Sequence, residues 1–187
     1  MARPRSEDKR NAIMVAATGL IVSQGLSAPT SIIAKTAGVS NGSLFTYFET
    51  KADLFNALYL ELKNEMATAA MNGLPATGLR DQVFHLWTNW MEWASVNPEK
   101  RRALAQLSVS EEITPANRIA GHQAMAGIAG LMEQCRSRGS LRYAPMGFFV
   151  GIMNSLADAT MDFMIQDPAN AATHSQTGFE ALWRVIS

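Results

Sequence analysis

Residues 33–54, IAKTAGVSNGSLFTYFETKADL, predict two short helices joined by a tight turn. Gly38 and Val39 separate helical patterns at 30–37 and 40–48, and Ser40 is a favourable N-cap for the second of them. Two helices in this order form the layout of a DNA-binding helix-turn-helix, but the same corner also occurs in many other helical proteins. Spacing alone therefore leaves both interpretations open.

Helical patterns continue on both sides of this segment. Ser6, followed by Glu7 and Asp8, predicts the start of a first helix that Gly25 ends, and Pro29 precedes a second helix with Thr30 as its N-cap. The remaining helices are expected at 51–70, 79–96, 98–110, 115–138, 145–166 and 173–187. We therefore predict an all-α fold of about nine helices, with a three-helix domain at 1–51, a connector helix at 51–70 and a helical domain at 71–187.

Composition and charge are those of a globular protein with a basic N-terminal segment. The chain has 187 residues, 48% of them hydrophobic, and no net charge. Residues 1–51 carry six basic and three acidic side chains, a net charge of +3, which would orient this segment toward a polyanion. The longest apolar run, 144–152, is shorter than a bilayer span, and Glu7 and Asp8 argue against a secretory signal. We expect no membrane association and a cytoplasmic location.

The stretch 33–54 resembles the DNA-binding signature of TetR-family regulators, whose usual pattern is I-A-x-x-A-G-V-S-x-G-x-L-Y-x-Y-F-x-x-K-x-x-L. Phe45 replaces the first tyrosine of that pattern, and the connection between Gly25 and Ile33 is one residue shorter than usual. The matching positions are Ile33, Ala34, Ala37, Gly38, Val39, Ser40, Gly42, Leu44, Tyr47, Phe48, Lys51 and Leu54. The resemblance implies a helix-turn-helix that reads operator DNA.

The chemistry of these positions suits DNA independently of the resemblance. The first turn of a helix in the major groove faces base edges, and here it presents Ser40, Asn41, Gly42 and Ser43. Phosphate contacts are expected from the hydroxyls of Thr30, Thr46 and Tyr47 and from the ammonium group of Lys51. An N-terminal arm with Arg3 and Arg5 could add further contacts. Taken singly, Tyr47 could be core, Lys51 solvated and Asn41-Gly42 only a turn. The small domain's own core is assigned to Ile33, Val39, Leu44, Phe45 and Phe48.

In the C-terminal domain, no motif names a ligand. The resemblance to the family nevertheless implies a ligand pocket and a dimer interface there. An aromatic and methionine-lined pocket for a small apolar or amphipathic ligand would use Phe84, Trp87, Met91, Leu104, Leu107, Met125, Ile128, Phe149 and Met153. Each of these residues could equally be plain core. The last two helices would pair with those of a second copy through Gly151, Leu156, Met161, Phe163, Met164, Phe179, Leu182, Trp183 and Ile186.

These observations favour a homodimeric repressor that a small molecule releases from a palindromic operator. The alternatives are an activator, a regulator without a ligand, or a helical protein-interaction adaptor that does not bind DNA. An enzyme is disfavoured because the three histidines are scattered and neither a Glu-x-x-His nor a His-Glu-x-x-His motif occurs. Asp158 and Asp162 lie one helical turn apart and could bind a cation, but a solvated or interface polar face is the favoured interpretation, and Cys135 has no histidine partner in the sequence. No catalytic residue, metal or cofactor is predicted.

Overall fold

The computed structural model describes residues 3–187, with side chains from Ser6 onward. These residues contain no strand, and they form ten α-helices and one 3₁₀ turn at Pro168–Asn170, which confirms the predicted all-α class. The helices are α1 (Arg3–Gln24), α2 (Thr30–Thr36), α3 (Asn41–Tyr47), α4 (Lys51–Met71), α5 (Leu79–Val96), α6 (Pro98–Ser108), α7 (Pro115–Ala124), α8 (Ala126–Arg138), α9 (Met146–Gln166) and α10 (Ala171–Ile186).

The first helix starts earlier than the sequence predicts, and the N-cap of the second helix differs from the predicted one. Helix α1 begins at Arg3, so Ser6 lies inside it and the predicted N-cap is wrong. A proline is tolerated in a first turn, which lets the helix extend back across Pro4. The backbone of Arg3 and Arg5 is therefore helical, whereas a flexible arm was expected, and their side chains lie outside the described part of the chain. The predicted cap Thr30 is the first residue of α2, and Pro29 is the N-cap, without a side-chain hydrogen bond.

Two glycines shape the helix-turn-helix as predicted. Gly25 ends α1 with a φ of 75°, and Gly38 has a φ of 68° in the turn between α2 and α3. Only glycine adopts this left-handed conformation without strain, which explains why both turns carry it. A side chain at either position would strain the turn even though the surrounding space is open.

The predicted helix at 115–138 is two helices. Met125 is the N-cap of α8, with φ of −94° and ψ of 7°, and it separates α7 from α8. Glycines at 121, 127 and 130 lower the helix propensity of this stretch, so a local break costs little. The break accounts for the tenth helix.

The chain packs as two compact units. The first unit comprises the chain up to Asn64 together with Pro98–Gln123, and the second comprises Glu65–Asn97 and Ala124–Ser187. The division falls inside the continuous helix α4. The functional boundaries at 51 and 71 remain a prediction, because compactness does not assign function.

In the first unit, α1 packs against α2, α3 and α6. Its largest fully buried side chains are Ile13, Ile21, Ile33, Leu44, Leu54, Phe55, Leu58 and Leu107. Those from α1 recur at helical spacing, so one apolar stripe of α1 supports both short helices of the corner. Burial of this stripe is what holds α3 in place, since a seven-residue helix is not stable alone.

A buried asparagine also ties this unit together. The amide nitrogen of Asn56, which is 6% exposed, donates to the carbonyl oxygens of Ala52 and Glu112 at 2.7 and 2.8 Å. Its oxygen accepts from the backbone N–H of Thr114 at 2.9 Å and from the amide of Asn117 at 2.8 Å. The side chain thus satisfies its hydrogen-bonding capacity while it fixes the loop between α6 and α7 to α4.

In the second unit, α9 and α10 pack along each other and both contact α5. The centre is aromatic: the Phe179 ring lies 4.7 Å from that of Phe84 and 6.5 Å from that of Trp87, measured between centroids. The indole N–H of Trp87 donates to the carbonyl of Ser175 at 3.0 Å, so this buried ring also has its polar group satisfied.

Helix α9 is more apolar than the sequence prediction allowed. Within residues 3–187 it is the one helix long and apolar enough to cross a membrane by length and composition alone, with a mean hydropathy of 1.2. A mostly buried core helix of a soluble protein meets the same criterion, whereas α9 is 33% buried within its apolar window and buries one stripe that includes Phe149, Met153 and Met161. The prediction considered only the uninterrupted apolar run at 144–152. The observed helix continues beyond that run to Gln166 and remains apolar on average although it includes Asp158 and Asp162.

Candidate nucleic-acid interface

Helix α3 separates its side chains into a buried and an exposed face. Leu44 is fully buried, whereas Asn41, Gly42, Phe45 and Thr46 are exposed on the outer face. Ser43 and Tyr47 are half-buried at its edges. The structure thus brings the predicted base-reading and phosphate-contacting residues of α3 onto one accessible surface, as an approach to DNA requires.

Two of the hydroxyl groups on this surface already bond to the backbone. The Ser40 oxygen accepts the backbone N–H of Ser43 at 3.0 Å, which confirms the predicted N-cap. The Thr46 hydroxyl donates to the carbonyl of Gly42 at 3.2 Å. The Tyr47 hydroxyl makes no hydrogen bond within the described residues. Among the described residues, the side chains of Asn41, Ser43 and Tyr47 therefore keep polar groups without a hydrogen bond.

Phe45 is not part of the small domain's core. Its side chain is 40% exposed, because the inward face of α3 is taken by Leu44 and, one turn later, Phe48. Ile33 and Phe48 are buried as predicted, and Val39 is half-buried. The exposed Phe45 ring stands where the TetR pattern has a tyrosine, and it borders the surface formed by Asn41 and Thr46.

The start of α4 contains a capping motif that sequence reasoning missed. The carboxylate of Asp53 accepts the backbone N–H and the hydroxyl of Thr50 at 3.0 and 2.8 Å, and the N–H of Asp53 donates back to the Thr50 hydroxyl at 3.1 Å. This is a reciprocal capping box, and the Thr50-x-x-Asp53 spacing could have revealed it. Asp53 places a negative charge in the first turn, which disfavours binding of a phosphate by the backbone amides of that turn. The ammonium group of Lys51 is therefore a better candidate for a phosphate contact than these amides.

Lys51 and Thr30 lie at helix starts on either side of α3. Lys51 is half-buried, and its ammonium nitrogen lies 5.2 Å from the centroid of the Phe55 ring. Thr30 is half-buried in the first turn of α2. Neither has an ion-pair or side-chain hydrogen-bond partner among the described residues, so both keep their polar groups available.

The residues predicted to line a ligand pocket are spread over both units. Leu104 and Leu107 are buried in the first unit, and Trp87, Phe149 and Met153 are buried in the second. Met125 and Ile128 are half-buried in the second unit. Only two of the nine, Phe84 and Met91, line a groove of the second unit with a volume of about 470 Å³. The pocket built from all nine residues remains a prediction.

The residues predicted for the dimer interface divide into core and surface. Gly151 and Phe163 are exposed, Phe163 by 59%, and Leu156 and Trp183 are half-buried. The other five are buried within this single chain, so packing of the second unit already accounts for Met161, Met164, Phe179, Leu182 and Ile186. Only the first four lie at the surface of the single chain, and the predicted interface remains a prediction.

Cys135 is a buried group rather than a reactive one. Burial raises the pKa of its thiol to about 11, so the thiolate is scarce near neutral pH. Among the described residues, no group of three or more histidine, cysteine or carboxylate side chains is placed to hold a metal ion.

Comparison with known proteins agrees with this geometry. Residues 13–58 match the family model of bacterial regulatory proteins of the tetR family. The HTH-type transcriptional regulator AcrR of Shigella flexneri is 30% identical over 116 residues, which are 56% of this chain and 50% of AcrR. The chain thus matches half the length of that relative.

Solved structures extend the likeness over more than nine tenths of the chain. A protein from Shewanella sp. PV-4 assigned to the tetR family is 28% identical, with a TM-score of 0.82 over 94% of this chain and 96% of that one. A TetR family regulator from Marinobacter aquaeolei VT8 shares the fold at 21% identity, with a TM-score of 0.80 over 97% and 96% of the two chains. Fold and interface together define an all-α helix-turn-helix protein with a second helical unit. Residues 13–58 match the tetR family of bacterial regulatory proteins, and the fold of the chain is similar to that of TetR family regulators.

Proposed function

We propose that the chain is a sequence-specific, DNA-binding transcriptional regulator, with α3 as the helix that enters the major groove. The observation that carries this proposal is the exposed face of α3, which presents Asn41, Gly42 and Thr46 opposite the buried Leu44, with the half-buried Tyr47 at its edge. A carboxamide at the first turn can pair with adenine through two hydrogen bonds, and glycine permits close approach to the duplex.

The regulator would act as a homodimer in the cytoplasm. One seven-residue recognition helix offers few contacts, whereas two copies related by two-fold symmetry read a palindromic site. The exposed Phe163 and Gly151 of α9 would lie in the contact between copies, with the half-buried Leu156 and Trp183 beside them. Such a contact would also cover the exposed apolar side of α9, so no membrane is needed to explain its composition.

Repression relieved by a small molecule is the mode that we propose for this regulator. Operator DNA, a second copy and an apolar or amphipathic ligand are its partners, and no catalytic step is proposed. The 470 Å³ groove of the second unit is within the size range of small-molecule sites, which supports control by a ligand.

Fluorescence anisotropy with DNA that flanks the chain's own gene tests the proposal. We expect saturable binding to one palindromic fragment, at least about 10³-fold tighter than to random DNA, and weaker at higher salt. Asn41→Ala should weaken this binding by about 1–3 kcal/mol and relax the preference at one base pair of each half-site. Tyr47→Phe should weaken binding to all sequences alike, because it removes a phosphate contact.

Asn64→Ala is the matched control for these variants. Asn64 is an exposed asparagine of α4 whose amide donates only to its own helix, to the carbonyl of Leu60 at 2.8 Å. Its replacement should leave DNA affinity unchanged. Failure of the parent protein to enrich any sequence from a random DNA pool would refute DNA binding and favour the adaptor interpretation.

A further inference from the structure

The groove of the second unit has a defined floor and rim. Met91 of α5 and Met164 of α9 are buried at its floor, and Phe84 forms part of one wall. Thr88 and Glu92 lie exposed on the α5 side. Its volume of about 470 Å³ can hold a molecule of two or three rings.

Contacts made by the aromatic side chains at the centre of the second unit hold the walls of the groove in place. The Phe84 ring packs 4.7 Å from that of Phe179, and the Trp87 indole holds the carbonyl of Ser175, a groove residue of α10. The hydroxyl of Ser95 is bonded to the carbonyl of Met91 at 2.8 Å. These contacts hold the walls without a ligand, so little ordering would oppose binding.

The charge of the groove has one sign. Glu92 is the only ionisable residue that lines it, and the other polar lining residues are neutral hydroxyls and one amide. No lysine or arginine lines the groove, and Glu92 makes no ion pair within residues 3–187. An apolar floor beside one unpaired carboxylate favours a ligand with an apolar body and one positive charge. A carboxylate ligand would instead meet like charge.

We propose that this groove binds a small amphipathic cation. Its apolar body would lie on Met91, Met164 and the Phe84 ring, whose face also attracts a cation, and its ammonium group would approach the Glu92 carboxylate. The role of such a cation as an effector rests on the proposed regulatory function, but its binding does not.

Three naphthalene probes of equal size and different charge test the proposal. We would titrate 1-naphthylmethylammonium, 1-naphthalenemethanol and 1-naphthoate into the full chain by isothermal titration calorimetry. The cation should bind about fivefold or more tighter than the alcohol, and the carboxylate should bind most weakly. Glu92→Gln should abolish the advantage of the cation over the alcohol while binding of the alcohol persists.

Two further variants separate charge from shape. Asp81→Asn removes an exposed carboxylate from the same helix but outside the groove, and it should keep the preference for the cation. Thr88→Trp fills the groove from its exposed rim without a change of charge, and it should weaken binding of all three probes. Thermal melts would verify that each variant is folded.

Three outcomes would overturn the proposal. The first is no measurable binding of the cation by the parent, and the second is a preference for the cation that survives Glu92→Gln. The third is dissociation of a dimer by Thr88→Trp in sedimentation velocity, because the groove would then be filled by a second copy.

DNA binding is measured separately on the same preparations. A parent that binds DNA but shows no preference for the cation would refute the groove proposal alone. A parent that binds the cation through Glu92 but enriches no DNA sequence would leave the groove proposal standing and refute the proposed function.

Discussion

Helices α3 and α10 differ in which side chains they bury and which they expose. Helix α3 buries one residue, Leu44, and presents polar side chains such as Asn41 and Thr46. Helix α10 buries Phe179, Leu182 and Ile186, three of the apolar residues predicted to bind a second copy. The contrast teaches that a polar residue without a core role points to function more reliably than an apolar residue, because packing alone accounts for apolar side chains.

Truncation of the aromatic centre gives the sharpest test of this contrast. Phe179→Ala should lower the free energy of unfolding by about 3–5 kcal/mol, because the fully buried ring leaves a cavity among Phe84, Trp87 and Trp183. Phe163→Ala is the matched change at an exposed phenylalanine of α9, and should cost less than about 1 kcal/mol in a monomeric state. Chemical denaturation measures both values.

Sedimentation equilibrium on the same two variants then addresses self-association. We expect Phe163→Ala to weaken the dimer while the fold persists, because its ring is exposed in the single chain. A Phe163→Ala protein that dimerises like the parent would remove this residue from the proposed interface. A Phe179→Ala protein of unchanged stability would instead contradict its assignment to the core.

The buried Asn56 provides a polar counterpart within the first unit. Asn56→Ala should lower the free energy of unfolding by about 2–3 kcal/mol, because the carbonyl of Glu112 and the N–H of Thr114 lose their partner. Asn64→Ala, at an exposed position of the same helix, should change stability by less than about 0.5 kcal/mol. Equal effects of the two changes in urea denaturation would show that the Asn56 network does not stabilise the unit.

Local signals in the sequence were sufficient for most of the fold and for the exposed face of α3. Gly25, Gly38 and the Ser40 cap act within a few residues, so their roles can be predicted from spacing. Three of the four hydrogen bonds of the Asn56 side chain join residues 56 to 61 positions apart and leave no local pattern. For the same reason the sequence could not separate the core role of Phe179 from an interface role. It also could not predict that Glu92 would stand alone beside an apolar groove.

The capping box of α4, which follows α3 in the chain, predicts a smaller effect on the free energy of unfolding. Thr50→Ala should lower the free energy of unfolding by about 1 kcal/mol, because the N–H of Asp53 and the Asp53 carboxylate both lose their bonds to the threonine hydroxyl. Thr68→Ala, at an exposed site in the interior of the same helix, should be neutral or slightly stabilising. If thermal unfolding does not distinguish the two variants, the box has no measurable role.

Phe45 offers the finest test, because it is an apolar residue of α3 that the core does not use. Its ring is 40% exposed beside Asn41 and Thr46, so Phe45→Tyr can add a hydroxyl without disturbing the packing of Leu44. One added neutral hydrogen bond to a phosphate should tighten DNA binding about two- to fivefold. Its salt dependence should not change, since no further counterion is released. The free energy of unfolding should change by less than about 0.5 kcal/mol.

A parallel Phe148→Tyr change, at an exposed ring of the second unit, should leave DNA affinity as it is. If Phe45→Tyr also has no effect on affinity, the outer edge of α3 at this position does not approach the DNA backbone, and the contacts belong to Asn41, Tyr47 and Lys51.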